Sequence, residues 1–239
     1  MSDKPSGSFI ERYLTPIAVI VGAIIIAVAF AFGHGGTTGT QQAATGTQTA
    51  PSVNIANVKT SGEPFVGNAN APVTMALFFD YQCPFCKQFD ATVVSQLYTN
   101  YVQTGKLKIV FKDFDFLGPD SITASEFARA LWQLYPDQFY AWYSAVYANQ
   151  LEESHTADAS YLPHLESVAG KLQGVDVNKV VALMNQNKTT YDTTVQADFT
   201  EGQGYGIQGT PSVIVGTTLL QGAQSYQAVS ALIDAQLKK

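Results

Sequence analysis

Runs of apolar and polar residues divide the chain into stretches of different character. Residues 14–32, LTPIAVIVGAIIIAVAFAF, carry no charge. At about 1.5 Å of rise per residue they are long enough to cross most of a bilayer's hydrocarbon core as one helix. Residues 33–51, GHGGTTGTQQAATGTQTAP, have neither charge nor hydrophobic period, the composition of a flexible tether. Further on, VTMALFF at residues 73–79 reads as a buried strand. It is followed by a helical pattern to about Gln103, with Phe89, Val93, Val94, Leu97 and Tyr101 at helical spacing and Gly105 to close it. KLKIVF at 106–111 alternates as a second strand, and a β-α-β crossover between parallel strands is right-handed. From about 119 to 204 the pattern is mostly helical. Residues 209–215 then enter a strand, Gly216 turns it, 218–221 read as its hairpin partner, and Tyr226 to Leu237 form an amphipathic C-terminal helix.

Charge orients this arrangement. Lys4 and Arg12 precede the apolar run, and no lysine or arginine follows until Lys59. The positive-inside rule therefore leaves residues 1–13 in the cytoplasm and the folded domain outside the cell. A cleavable signal peptide is the competing reading, since Ala27-Val28-Ala29 and Ala29-Phe30-Ala31 offer small residues at cleavage spacing. The apolar run is longer than a usual signal core, and Phe30 and Phe32 crowd the candidate cuts, so an uncleaved anchor is favoured. The formal net charge of −6 and the lack of a basic stripe argue against nucleic-acid binding.

The chain's two cysteines stand together in Cys83-Pro84-Phe85-Cys86, between the first strand and its helix. Proline at the first helical position presets the helical φ and sacrifices no needed hydrogen bond, so Cys83 falls at the N-cap and Cys86 in the opening turn. Unpaired N–H groups and the positive end of the helix dipole then stabilise a Cys83 thiolate. Two other readings stand beside this redox dithiol. A zinc half-site lacks partners, because only His34, His155 and His164 could complete it and none has ligand spacing. A passive disulfide across so short a loop gives little chain-entropy stabilisation. No cofactor or metal is expected.

The segments GNANAPVT at 67–74, FDYQCPFC at 79–86 and GIQGTP at 206–211 together resemble the DsbA-like thioredoxin-fold family of thiol–disulfide oxidoreductases. The resemblance covers residues 52–239 and implies an α/β thioredoxin fold with a helical insertion at about 118–204, here preceded by one transmembrane helix. It implies that Cys83 is the exposed, attacking sulfur and Cys86 the resolving one. It also makes Thr210 and Pro211 the cis-proline loop that pairs with an extended substrate chain. Pro84 and Phe85 would tune the dithiol, although Phe85 stands where strongly oxidising members carry histidine. Asp80 is a candidate proton carrier for Cys86, with a solvated turn former as the alternative, and Lys112 and Asp113 share that ambiguity. Glu126 reads as a solvated helix residue, with a buried acid near the site as the alternative, and His155 and His164 as surface or cap residues. Most of the aromatics Trp132, Tyr135, Phe139, Tyr140, Trp142, Tyr143 and Tyr147 read as core of the insertion, with a peptide-contacting surface as the alternative. The implied partners are thiols of exported proteins and a quinone-linked membrane reoxidant of the DsbB or vitamin K epoxide reductase type. The same dithiol could instead serve an extracytoplasmic reductase or isomerase, or a non-catalytic module whose disulfide switches a binding partner.

Overall fold

The computed structural model describes residues 53–239. The apolar run at 14–32 and the tether at 33–51 lie outside the described residues, within which no helix is long and apolar enough to cross a membrane. Five strands form one mixed sheet: β1 (Phe65–Val66), β2 (Val73–Phe79), β3 (Leu107–Asp113), β4 (Ser212–Val215) and β5 (Thr218–Gln221), in the order β1-β3-β2-β4-β5. β2 runs parallel to β3 and antiparallel to β4, and β1 and β5 add antiparallel edges. Such a centre must be covered on both sides, which is why VTMALFF is apolar at every position but the half-buried Thr74. Met75, Leu77 and Phe79 point into the larger core, and Ala76 and Phe78 into a smaller one with Phe114, Ile207 and Ile214.

The crossover from β2 to β3 is helix α1. It begins as an α-helix at Pro84–Phe89, widens to a π turn at Asp90–Val94, returns to α at Ser95–Leu97 and widens again at Tyr98–Val102. The periodicity gives no sign of these two wide turns. Buried Cys86, Phe89, Val93, Val94 and Leu97 hold α1 to the core.

The insertion consists of α2 (Pro119–Leu134), α3 (Phe139–Ala148), α4 (Tyr161–Ala169) and α5 (Val177–Gly204). Two stretches that look separate in sequence, VNKVVALMNQ and TTYDTTVQADFTEG, are one continuous helix of 28 residues. Asp176 caps α5 by accepting from the Lys179 N–H. Gly202 in its last turn is a packing requirement, since a Cβ there would stand 2.7 Å from the Phe114 ring. Phe139, Trp142, Tyr143 and Tyr147 are buried, so α3 uses most of its aromatics as core. Tyr143 meets Phe79 and Phe111 edge-on at ring-centroid distances of 5.5 and 4.7 Å, which locks the insertion onto the central strands. Helix α6 (Tyr226–Leu237), capped by the Ser225 hydroxyl, closes the fold.

Candidate active site

Cys83 is the N-cap of α1, extended at φ −71° and ψ 119°, and Pro84 opens the helix. The Cys83 carbonyl accepts from the Cys86 and Lys87 N–H groups, both at 3.1 Å, so the turn between the cysteines is the first turn of the helix. Sequence reasoning makes Cys83 the exposed sulfur, but the residue is only 4% exposed and Cys86 2%. Between them Pro84 and Phe85 face solvent, Phe85 at 61% exposure. What separates the thiols is depth and hydrogen bonding around the sulfur atoms rather than residue area.

Cys83 is lowered to about 6, chiefly because the Cys86 thiol hydrogen-bonds to its sulfur; the Thr210 side chain and the N–H groups of Cys86 and Phe85 add to this against the cost of burial. Burial pushes Cys86 well up, and the neighbouring Cys83 sulfur adds to it. The reduced pair is thus one thiolate held by one thiol. A thiol whose folded pKa lies below its unfolded value of 9.0 contributes stability that grows as pH rises through the window from about 6 to 9 and is lost as pH falls through about 6. Allowing for solvent around the sulfur, this amounts to on the order of 1 kcal/mol at pH 7. Urea unfolding of the reduced protein should show that gain between pH 5 and 8, and the disulfide form, which has no thiols, should lack it. Equal pH profiles for the two forms would contradict this assignment.

The second wall of the site comes from the loop before β4. The Thr210–Pro211 peptide bond is cis, and the Thr210 carbonyl lies 3.5 Å from the Cys83 sulfur, a bond that the protonated thiol donates and the thiolate gives up. The Thr210 hydroxyl is buried with no partner in hydrogen-bonding geometry, yet it stands near enough to both sulfurs to favour their charged forms.

Asp80 is neither solvated nor loosely held. It is fully buried; one carboxyl oxygen accepts from the Gln82 N–H at 2.8 Å and the Ser121 hydroxyl at 2.6 Å. The other accepts from the N–H groups of Phe116 and Leu117 at 3.0 and 3.1 Å. Burial raises its pKa against those four bonds. Asp80 therefore ties the loop before Cys83 to the loop that leads from β3 into the insertion.

Lys112 and Asp113 are buried too, in a network that sequence reasoning does not find. Lys112 bonds Asp198, Glu201 at 2.9 Å and Glu63 at 3.4 Å. Arg129 bonds Glu63 at 2.9 Å and Asp113 and Asp198 at 2.6 Å each. Two cations face four carboxylates, and burial together with the Asp113 charge pushes Asp198 up to about 7 in spite of both cations. Glu126 corrects a further expectation: it is 1% exposed, because Lys188 of α5 closes over it as an ion pair. His155 is exposed and bonds the Leu117 carbonyl through Nδ1, whereas His164 is half-buried with an unpartnered Nε2. Neither lies in the dithiol site.

A cysteine pair at the start of the helix that follows the first core strand, faced by the Thr210–Pro211 loop, is a thioredoxin-type arrangement, and the family model described as thioredoxin matches residues 59–235. The chain belongs to the thioredoxin family. Within that family it is a DsbA-like thiol–disulfide oxidoreductase. The probable disulfide bond formation protein D of Bacillus cereus is 30% identical over 179 residues, which cover 75% of this chain and 81% of the relative. Disulfide bond formation protein D of Bacillus subtilis is 26% identical over 74% of this chain and 78% of the relative. Among solved structures, oxidised BdbD from Bacillus subtilis superposes with a TM-score of 0.68 at 24% identity, covering 80% of this chain and 99% of that one. Chlamydia trachomatis DsbA follows at 0.64 and 17%, covering 79% and 97%. At these identities the superpositions speak for the thioredoxin fold with its helical insertion and for nothing finer.

Proposed function

We propose that this thioredoxin-family oxidoreductase forms disulfide bonds in exported proteins through Cys83 and Cys86. The observation that carries the reading is the cysteine pair in the first turn of α1, faced by the Thr210–Pro211 loop at the Cys83 sulfur, with the Cys83 pKa lowered to about 6 and that of Cys86 raised. In the oxidised enzyme a substrate thiolate attacks the Cys83 sulfur, the Cys83–Cys86 bond breaks, and Cys86 departs and takes a proton, as its raised pKa favours. A second substrate thiolate then attacks the substrate sulfur of the mixed disulfide. The substrate disulfide closes and Cys83 leaves as a thiolate. Two electrons pass to the enzyme, and the low pKa of Cys83 makes it the better leaving group in that last step. Because Cys83 is also stabilised as a thiolate, the reduced enzyme is favoured over its disulfide, which is the condition for an oxidant.

Thr210 and Pro211 supply the edge against which the substrate chain pairs, a role supported by the contact between the Thr210 carbonyl and Cys83. Pro84 keeps an N–H from competing at the helix start, and Phe85 offers an apolar contact beside the sulfur. Asp80, with every carboxyl lone pair engaged, fits a tuning role through its buried carboxyl better than that of a mobile proton carrier. The charge-free run at 14–32 and the cation asymmetry about it support a single-pass anchor with the domain outside the cell. There a quinone-linked membrane protein of the DsbB or vitamin K epoxide reductase type would reoxidise the dithiol.

The test is the equilibrium of the dithiol in glutathione buffers, paired with oxidation of a reduced, unfolded protein that needs one disulfide. The expected potential is more oxidising than about −200 mV, with stoichiometric disulfide formation in the substrate. A value near −270 mV, that of a thioredoxin-type reductant, with no substrate oxidation, would reverse the direction proposed.

A further inference from the structure

Buried backbone carbonyls need donors, and three of the four residues that lead into the attacking sulfur, Asp80, Tyr81 and Cys83, receive one at their carbonyl from the insertion. The Tyr147 hydroxyl donates to the Asp80 carbonyl at 3.0 Å. The Gln150 side-chain amide donates through Nε2 to the Tyr81 carbonyl at 2.9 Å and to the Cys83 carbonyl at 3.1 Å. Gln82 accepts at Oε1 from the Ser154 N–H at 2.8 Å and donates from Nε2 to the Ser121 hydroxyl at 3.0 Å. Gly118 permits this closure, since at φ 154° a Cβ there would stand 2.5 Å from the Ser154 carbonyl. The segment after α3 is therefore fastened to the cysteine turn by polar bonds.

Gln150 differs from the rest of this set. It is the one among them that reaches the Cys83 backbone itself, and it does so from the wall of an open groove of about 310 Å³ beside Pro84 and Lys87. The Cys83 carbonyl it holds is also the acceptor that starts α1. A residue gripping that carbonyl fixes the rotation of Cys83 about its backbone, and with it the aim of the sulfur at the N–H groups of Phe85 and Cys86.

We propose that Gln150 is a positioning residue for Cys83: by bridging the Tyr81 and Cys83 carbonyls it holds the attacking sulfur beside the Phe85 and Cys86 N–H groups in the first turn of α1. This rests on the disulfide-exchange reading above. The insertion then sets the reactivity of the dithiol although it contributes no group to the reaction.

The experiment is ultraviolet titration of the thiolate in the reduced full chain, comparing wild type with Gln150→Ala and Gln150→Met. Methionine keeps the length and apolar stem but has no donor, so it keeps the test readable if alanine loosens the loop. Lys87, Glu152 and Glu153 around the groove and Asp80 behind the loop are unchanged in both variants, so a shift reports Gln150. The expected result is a Cys83 midpoint raised by about half a unit to one unit in both, a three- to tenfold lower thiolate-to-thiol ratio at fixed pH. Melting temperature should fall modestly, since the Tyr81 carbonyl loses its donor while the groove beside Gln150 admits water. Midpoints equal to wild type in both folded variants would overturn the proposal. Failure of the wild type itself to oxidise a substrate would instead count against the function and leave the Gln150 comparison standing.

Discussion

Cys83→Ser is expected to reduce thiol–disulfide exchange by roughly a thousandfold or more, since the thiolate is the reacting species and a serine hydroxyl does not substitute for it. Cys86→Ala should behave differently. With Cys83 still able to attack disulfides but nothing to resolve the product, mixed disulfides with substrate proteins should accumulate. The asymmetry follows from the site: Cys83 carries the stabilised charge, and Cys86 is the more deeply enclosed thiol whose pKa is pushed up. Losing the Cys86 thiol also removes the largest stabiliser of the Cys83 thiolate. The single mutant should therefore trap partners more slowly at pH 6 than at pH 8. Non-reducing gels of cells carrying each variant provide the check. Equal trapping by Cys86→Ala and Cys83→Ala, or trapping through Cys86 alone, would exchange the two roles.

The second large effect is on stability. Arg129→Met should destabilise the domain by about 3–5 kcal/mol, the usual cost of breaking a buried ion network from one side. The guanidinium is the shared partner of Glu63, Asp113 and Asp198. Without it Asp113 loses its cation, and Glu63 and Asp198, whose charged forms burial already disfavours, are left to Lys112 and, for Glu63, to Lys59. Because the loss comes from unpaired negative charge, it should be partly recovered by adding Asp198→Asn, which removes one of the excess charges. Denaturant unfolding of the single and double variants measures both terms. A single variant within about 1 kcal/mol of wild type, the range of an exposed ion pair, would show that the network is solvated and not buried.

What could be read from the sequence is what is local. VTMALFF must be a buried strand because seven successive residues leave no polar face, and Pro84 after a cysteine places a helix start between the two sulfurs. The GIQGTP loop is recognisable because its residues are contiguous. The ion network escapes such reading. Glu63, Lys112, Arg129 and Asp198 come from distant parts of the chain, each looks like an ordinary surface charge, and only the closed fold shows that they are partners. Glu126 is misread for the same reason, since its partner Lys188 is 62 residues away. Gln150 is uncharged and belongs to no motif, and Gln82 sits inside FDYQCPFC with nothing to signal its partners, yet they fasten the insertion to the cysteine turn. The edge strand Phe65–Val66 is two residues long, too short for any alternation to register.

The two wide turns of α1 bear on which changes of chain length this helix can accept. A π turn holds more residues than an α turn, so the segment from Asp90 to Val102 contains more chain than a uniform helix of the same rise. Successive residues in a helix are separated by about 100° of rotation. A deletion within Asp90–Val94 can therefore be absorbed by that turn closing to α geometry, with Cys86 and Phe89 still on the buried face of Val94 and Leu97. A deletion within the regular turn Pro84–Phe89 has no such slack and would swing Cys86 by about 100° relative to that face. The wide turns are thus where α1 tolerates a change of length, and the first turn, which carries the dithiol, is where it does not.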